Sequence, residues 1–353
     1  MFLVKQIYTD IIQFRGTHYD FGVMQGELLV ESLTIENREK QWRLRKPRFQ
    51  IDEQEAKQAI MRYAPKLWDE LIGLQDALKW PLQQILHEFG GYRNEIGKSG
   101  CSTITGKDYL IRNYDYHPKT YEARYTLFQP TDGGSAMIGP SQRITGRMDG
   151  MNEHGLAMGY NFMHRKEPGN GFICNAIGRI ILESCKSAQE AADLLAEIPH
   201  RHSFSYIVFD QTGNSFVVEA TPRSTEIREA NMCTNHFEEL EHENRRILDD
   251  SKKRMQAIRK NNVPDMKARD AFRMLNDSDK GIFSDQYRNW SGTIHTSGYL
   301  PMEMKVWFSL GGDREPEEIN FTKWLKGQNL TQTQFHGQVN TDLGFLSMDE
   351  NVK

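Results

Sequence analysis

The strand-like segments of this chain follow one another directly, without the regular alternation of strand and helix that builds a parallel sheet. Residues 203–210 (SFSYIVFD) and 215–222 (SFVVEATP) flank the turn QTGN, and together they predict a hairpin. TIHTSGYL at 293–300 and MKVWFSL at 304–310 predict a second hairpin, and 3–16 predicts an extended segment that ends at a glycine. This mixture favours a layered α+β architecture.

Apolar side chains at three- and four-residue spacing predict helices in three parts of the chain. Residues 19–86 have this spacing, with Pro65 as the expected break. Residues 172–196 predict one further helix, and 238–277 predict a charged helical region whose charges form a solvated face. The sequence after Lys326 is polar and only weakly patterned.

Composition excludes several classes of partner. The 353-residue chain has 44 basic and 48 acidic residues, a formal net charge of -4 and a pI near 6.3. Neither nucleic acid nor an anionic membrane surface is therefore an expected partner. No segment approaches the roughly 18 apolar residues of a membrane helix, and Lys5 and Asp10 interrupt the apolar stretch that a signal peptide needs. We expect a cytoplasmic globular protein with reduced thiols.

The sequence does not match the familiar phosphate-binding and metal-binding motifs. GGYRNEIGKS at 90–99 resembles a phosphate-binding loop, but five residues separate Gly91 from Gly97 where four are required. The four cysteines include no CxxC pair, and His200 and His202 are better explained as surface or loop histidines than as metal ligands. The sequence predicts no metal and no organic cofactor.

Four short segments carry the chemistry. They are Gly100-Cys101-Ser102-Thr103, Arg112-Asn113-Tyr114-Asp115, Asn152-Glu153-His154-Gly155-Leu156 with Tyr160-Asn161-Phe162, and Thr234-Asn235-His236. Each has a plain explanation alone: a cysteine is usually a small buried hydrophobe, an Arg–Asp couple is usually a framework ion pair, and Asn beside Gly is usually a turn. Their combination in this order is more specific than any one of them.

In this order the segments resemble the cysteine N-terminal-nucleophile hydrolases, in particular the group of isopenicillin N acyltransferase. The bile-salt (choloylglycine) hydrolases and penicillin V amidases are more distant. The resemblance rests on Cys101, RNYD at 112–115, NEHGL at 152–156, YNF at 160–162, TGNSFVVE at 212–219 and TNH at 234–236. It implies a four-layer αββα sandwich in one structural domain, with two stacked antiparallel sheets and the nucleophile at a strand end. It also implies a leader at 1–100 that stays integral to the fold and a catalytic part at 101–353.

In this class of enzyme the nucleophile becomes the first residue of its chain, so that its own amine serves as the general base. An α-amine has a pKa near 8, whereas a lysine side chain has one near 10. The amine exists only after the Gly100–Cys101 bond is cut, which Cys101 could do itself by attacking the Gly100 carbonyl. Gly100 suits this step because it has no Cβ to obstruct the sulfur.

The resemblance also implies roles for the other residues. Asp115 would orient the new ammonium or the thiol, and Arg112 would be its charge partner and lower the pKa of the thiol. Asn235 would donate to the oxyanion, with Asn161 as a second donor or amine orienter. Arg254 would be a structural or substrate contact, although a salt bridge on a charged helix explains it as well.

The predicted function is hydrolysis of a linear amide, or transfer of its acyl group, through a Cys101 thioester. The substrate would be a small N-acyl amide or acyl thioester, whose acyl group the sequence does not identify. Two alternatives remain open. One is an uncut thiol hydrolase in which His117 or His154 activates Cys101, and the other is a non-catalytic binding protein with the same fold. The sequence says nothing of the oligomeric state.

Overall fold

The computed structural model describes residues 4–30, 32–45, 51–95, 97, 99–164, 167–345 and 347–348. These residues form ten α-helices: α1 (His18–Leu29), α2 (Leu33–Arg45), α3 (Glu53–Tyr63), α4 (Pro65–Leu78), α5 (Leu82–Phe89), α6 (Cys174–Ser184), α7 (Ala188–Glu197), α8 (Asp249–Asn261), α9 (Ala268–Asn276) and α10 (Phe321–Leu325). No helix within these ranges has the length and apolar character needed to span a membrane.

The same residues form seventeen β-strands. They are β1 (Val4–Gly16), β2 (Gly100–Thr105), β3 (Leu110–Tyr116), β4 (Arg124–Pro130), β5 (Met137–Gln142), β6 (Gly146–Arg147), β7 (Asp149–Asn152), β8 (Ala157–Phe162), β9 (Phe204–Phe209), β10 (Ser215–Ala220), β11 (Thr225–Glu229), β12 (Met232–Cys233), β13 (Asp285–Gln286), β14 (Ser291–Leu300), β15 (Lys305–Leu310), β16 (Glu317–Asn320) and β17 (Gln334–Asn340). Both predicted hairpins are confirmed, as β9–β10 and β14–β15.

The strands form two sheets. The larger sheet has the order β11-β10-β9-β8-β7-β5-β4-β1-β17, with β6 paired to β5. The smaller sheet has the order β12-β2-β3-β14-β15-β16, with β13 paired to β14. One pairing departs from the expected antiparallel pattern, because β1 runs parallel to β4. The chain between these two strands crosses through five helices and the β2–β3 hairpin, and such a long crossover is what a parallel pair requires.

Three apolar clusters divide the molecule into four layers, as the αββα prediction requires. One cluster joins α4, α5, α6 and α7 to the outer face of the larger sheet. A second fills the space between the two sheets. The third joins the outer face of the smaller sheet to α8 and α9. The interior strands thus divide their alternate side chains between two of these clusters.

Several local predictions need correction. The single helix predicted at 172–196 is two helices, since Ser187 caps a new helix by accepting from the Glu190 N–H. The region 238–277 has only a short 3₁₀ turn at Glu241–Glu243 before its first α-helix begins at Asp249. The polar tail contains β17, which pairs with β1 along its whole length. Pro65 does mark the break, because it begins α4 immediately after the end of α3.

Candidate active site

Cys101 is the second residue of β2 and faces the space between the two sheets. It is 1% exposed and belongs to the apolar cluster between the sheets. The next inward side chain, Thr103, bonds Asn161 of the larger sheet, whereas Ser102 and Ile104 point to the α8 and α9 side. The thiol therefore lies at the start of a strand, as predicted, and inside the molecule.

The side chain of Arg112 is fixed beside the thiol. It lies on β3, next to β2, and its Nη2 is 3.1 Å from the Cys101 Sγ. Its Nη1 donates to the Asp149 Oδ2 at 2.6 Å, and its Nε and Nη2 both donate to the Tyr160 carbonyl. Arg112 and Asp149 are both fully buried. The guanidinium is thus held by the larger sheet while it presents a donor to sulfur.

Asp115 is not the charge partner of Arg112, contrary to the prediction. Residues three apart on a strand point to opposite faces, and Asp149 takes that place instead. The Oδ1 of Asp115 accepts from the Thr293 hydroxyl at 2.7 Å, while its Oδ2 is buried without a hydrogen-bond partner. Gly100 lies opposite Asp115 in the strand pairing. The free oxygen therefore lies beside the peptide bond that the sequence predicts to be cut.

The space around Gly100 leaves no room for a side chain. A Cβ built on this residue would lie 2.9 Å from the Ser291 Cβ and 3.4 Å from the Asp115 Oδ2. The first distance is shorter than real Cβ contacts, so a larger residue here would displace the strand. This packing supports the interpretation that position 100 requires glycine.

Asn235 and Arg254 both form hydrogen bonds with the backbone of Cys101. The Cys101 N–H donates to the Asn235 Oδ1 at 2.8 Å, and the Arg254 Nη2 donates to the same oxygen. The Arg254 Nη1 donates to the Cys101 carbonyl at 2.6 Å and to the Ser102 hydroxyl at 2.8 Å. Arg254 does form the expected helical ion pair with Asp250, but it is buried, so it belongs to the site and not to a solvated face.

The two predicted amide donors are engaged elsewhere in the intact chain. The Asn235 Nδ2 donates to the Phe162 carbonyl at 2.7 Å. The Asn161 Nδ2 donates to the carbonyl and the sulfur of Cys233, and its Oδ1 accepts from Thr103. The structure thus brings Asn161 beside the next inward position of β2 and not to Cys101 itself.

The family model of acyl-coenzyme A:6-aminopenicillanic acid acyl-transferase matches residues 103–315, which is more than half of the chain and begins two residues after Cys101. The chain belongs to this family. The resemblance inferred from the ordered motifs is therefore confirmed, and with it the general class of amide hydrolases and acyltransferases.

Several solved structures are similar to the chain at low identity. Penicillin V acylase from Agrobacterium tumefaciens is 17% identical with a TM-score of 0.45, over 64% of this chain and 86% of that one. A mutant of conjugated bile acid hydrolase from Clostridium perfringens is 13% identical with a TM-score of 0.39, over 72% and 100%. The N-acylethanolamine-hydrolyzing acid amidase ortholog of Caenorhabditis elegans is 13% identical with a TM-score of 0.42, over 57% and 93%. No curated protein matches the chain significantly.

Burial controls the ionisation of the site. It raises the pKa of the Cys101 thiol to about 11, although the charge of Arg112 acts in the opposite direction. The predicted lowering by Arg112 is therefore present but outweighed. Burial also raises the pKa of Asp115 to about 7, against the charge of Arg254 and the hydrogen bond from Thr293. Asp115 consequently changes protonation close to neutral pH.

Sequence reasoning missed one residue of this site and the role of another. Asp149 is the buried counterion of Arg112. Burial alone would raise its pKa, but the contact with His295 and the charge of Arg112 hold it at about 2. Ser251 accepts the Asn235 backbone N–H at 2.8 Å. A lone Asp in the strand-rich stretch RMDGMN was the available signal for Asp149, whereas Ser251 belongs to the segment with Asp250 and Arg254 that resembles the family, but no role was predicted for it.

The histidines considered as activating bases lie elsewhere. His117 packs against Trp290 in a tilted arrangement with ring centroids 4.8 Å apart, and its Nδ1 accepts the Lys119 N–H. His154 lines a cavity of about 480 Å³ together with residues of α4 and α6, including Glu183. These contacts give no support to a Cys101–His pair.

The remaining cysteines and histidines have structural positions. Cys174, Cys185 and Cys233 are free and buried. His200 and His202 lie in the connection between α7 and β9, as the loop interpretation has it, but they are buried and not on the surface. Across the described ranges no group of three or more His, Cys, Asp or Glu side chains is arranged to hold a metal ion.

Proposed function

We propose that this chain cuts its own Gly100–Cys101 bond and then acts as a cysteine N-terminal-nucleophile amidohydrolase or acyltransferase. One observation carries the proposal: Cys101 is held at three of its own atoms. Arg112 donates to its sulfur, Asn235 accepts from its N–H, and Arg254 donates to its carbonyl. A structural cysteine needs none of these contacts, whereas a nucleophile whose own backbone nitrogen will react needs all three.

The cleavage step follows from these contacts. The Cys101 sulfur attacks the Gly100 carbonyl carbon, the C–N bond breaks, and the thiol proton ends on the new α-amine of Cys101. Water then hydrolyses the thioester, which releases the Gly100 carboxylate and restores the thiol. Asp115 lies beside Gly100 and has a pKa of about 7, so it is suited to move a proton during this exchange.

Cleavage would also open the site. Cys101 is 1% exposed in the intact chain, so a substrate has no access to its sulfur. Ahead of it Gly97 packs against two aromatic side chains: its N–H donates to the Tyr116 hydroxyl, and a Cβ built on it would lie 2.8 Å from the Trp290 ring. Movement of the new carboxyl terminus away from these two side chains would expose an apolar surface suited to an acyl group.

In turnover the α-amine of Cys101 would act as the general base for its own thiol. Arg112 would stabilise the thiolate, and Asp115 would hold the ammonium. The Asn235 Nδ2 would exchange the Phe162 carbonyl for the developing oxyanion. An N-acyl amide or an acyl thioester would give the acyl-enzyme, which water resolves in hydrolysis and an amine resolves in transfer.

The leader at 1–100 would remain in place after cleavage. Its strand β1 lies inside the larger sheet, paired with β4 on one side and β17 on the other. Removing an interior strand would expose two unpaired edges. We therefore infer that the mature enzyme consists of both fragments. Four free cysteines fit a location in the reducing cytoplasm.

Intact-mass spectrometry under denaturing conditions tests this proposal. The wild type should separate into fragments that end at Gly100 and begin at Cys101, whereas the Cys101→Ala variant should stay whole. Cys185→Ala is the matched control, because Cys185 is also a buried free cysteine, lies at the end of α6 and should leave cleavage intact. A wild-type chain that stays whole and still turns over an amide would favour an uncut thiol hydrolase. A whole and inactive chain would favour a binding protein.

A further inference from the structure

The loop that carries Asn235 has no secondary structure of its own. Residues 234–240 belong to neither a helix nor a strand. Five of their backbone N–H groups nevertheless have acceptors, and every acceptor is an oxygen of one of three side chains. Because the backbone of this loop makes no ladder, those side chains determine where Asn235 lies.

Glu219 supplies most of this support. It lies on β10, is fully buried, and closes the TGNSFVVE motif that the proposed chemistry leaves without a role. Its Oε1 accepts the Glu238 N–H at 2.8 Å. Its Oε2 accepts the N–H groups of Glu239 and Leu240 at 3.0 and 2.9 Å. Three consecutive backbone donors thus converge on one carboxylate, whose charge Arg228 balances from 3.5 Å.

Two further acceptors complete the support. Ser251 accepts the Asn235 N–H at 2.8 Å, on the side of the loop that faces α8. Asn244 accepts the Phe237 N–H through its Oδ1 and donates to the Phe237 carbonyl through its Nδ2. The loop is therefore fixed at the Asn235 backbone nitrogen by Ser251 and again at the Glu238 nitrogen, three residues later, by Glu219. Its side chain can then meet the Cys101 N–H and the Phe162 carbonyl together.

We propose that Glu219 is a positioning residue for Asn235, and that its carboxylate sets the geometry of the amide that would serve the oxyanion. The role rests on the proposed function, because it acts through Asn235. Glu243 is the matched acidic residue nearby, since it is also buried and bonds the guanidinium of Arg223.

Amide hydrogen exchange tests the support directly, without requiring activity. In Glu219→Gln one acceptor oxygen becomes an NH₂ group that faces backbone donors. Exchange at 238–240 should become at least about tenfold faster, and exchange at Asn235 should also increase. Glu243→Gln should leave both unchanged. Unchanged exchange at 238–240 in Glu219→Gln would overturn the proposal. If this variant does not fold, Glu219→Asp keeps the charge at a shorter reach and should show a smaller increase.

Kinetics separates positioning from plain stabilisation. With kcat normalised to titrated Cys101 thiols, Glu219→Gln should lose about tenfold to a hundredfold in kcat with little change in KM, because a displaced catalytic group lowers the rate more than binding. Glu243→Gln should keep wild-type kcat per site. Equal melting-temperature losses in both variants with unchanged kcat would reduce Glu219 to a structural anchor and refute the positioning role. A wild type without Cys101-dependent turnover would refute the proposed function instead, while the exchange experiment would still test the anchor.

Discussion

Two clusters of buried charged and polar side chains lie on opposite sides of the larger sheet, and they use burial differently. The junction cluster joins the leader helices to α6 and consists of His18, Glu70, Asp132, Arg179 and Glu183. The nucleophile cluster surrounds β2 and consists of Cys101, Arg112, Asp115, Asn235 and Arg254. The first connects two parts of the chain, and the second is organised around one thiol.

Charges in the junction cluster meet opposite charges. Arg179 is 3.0 Å from a Glu70 oxygen and 2.7 Å from a Glu183 oxygen, and the pKa of Glu183 is held at about 2, because the charge of Arg179 overcomes the effect of burial. In the nucleophile cluster, burial raises the pKa of Cys101 to about 11 and that of Asp115 to about 7. Paired burial thus stabilises charged forms at the junction, whereas at the site burial keeps the Cys101 thiol protonated in the uncut chain and leaves Asp115 able to exchange a proton near neutral pH.

The largest effect on stability should come from the junction. Arg179→Met removes the shared partner of two buried carboxylates, and breaking a buried pair in this way typically costs about 3–5 kcal/mol. Urea unfolding should show this loss, while kcat per titrated Cys101 stays near the wild-type value. Glu70→Gln, which keeps the volume, should cost less. A large fall in kcat per site with unchanged stability would contradict the view that the junction cluster serves stability and the nucleophile cluster serves catalysis.

Arg112→Lys makes the complementary change in the nucleophile cluster. Lysine keeps a positive charge for Asp149 but lacks the planar fork that reaches the carboxylate, the Tyr160 carbonyl and the thiol together. We expect self-cleavage and turnover to fall about 10²-fold, with a smaller loss of stability than Arg179→Met. Rates of chain cleavage followed by mass spectrometry measure this. Wild-type rates in the variant would mean that the contact with sulfur has no function.

The sequence was a better guide to the order of the elements along the chain than to the directions in which their side chains point. Motif order was enough for the family, the layered fold and three of the residues that contact Cys101, namely Arg112, Asn235 and Arg254. Simple alternation along β3 was sufficient to show that Arg112 and Asp115 point to opposite faces, yet the resemblance led to pairing them. Asp149 lies between these motifs and the later ones in the chain, and only the stacking of the two sheets brings it to Arg112.

Other elements were not predictable from local pattern. β17 alternates buried and exposed side chains in a polar stretch, and its place beside β1 depends on a pairing across more than three hundred residues. The support of Asn235 by Glu219 and Ser251 likewise joins residues that no spacing relates. Long-range side-chain acceptors for an irregular loop leave no periodic signal in the sequence.

Asp115→Asn tests the nucleophile cluster through the pH profile of self-cleavage. In the uncut chain the pKa of Asp115 is raised to about 7, so the carboxylate that would move a proton during cleavage forms as pH rises through 7. We expect the wild-type rate of self-cleavage to increase across this range and the variant to be about tenfold slower at pH 8, without an inflection near 7. Stability should change in the opposite sense. A raised carboxyl pKa makes the fold lose stability as pH rises from about 3.8 to 7, and the variant should lack this slope.

The smallest expected effect is a pH-dependent one at the junction. Burial alone would lower the pKa of His18, but its hydrogen bond and ion pair with Glu183 raise it, and its Nδ1 is 2.7 Å from Asp132. A raised histidine pKa adds stability that is complete below the ordinary value of 6.5 and is lost as pH rises through the folded value. Glu183 acts in the reverse sense, because its pKa of about 2 adds stability above 4.5 that is lost in acid.

His18→Asn should therefore be less stable than the wild type by about 1 kcal/mol at pH 5.5, between these two limits. The difference should shrink as pH rises, because the wild-type histidine loses its charge while asparagine has none to lose. Chemical unfolding of both proteins from pH 5 to 9 measures it, with His117→Asn as a control at a partly exposed histidine. A difference that grows with pH would show that His18 is buried in its neutral form, and the junction would then hold its two fragments together without this charge.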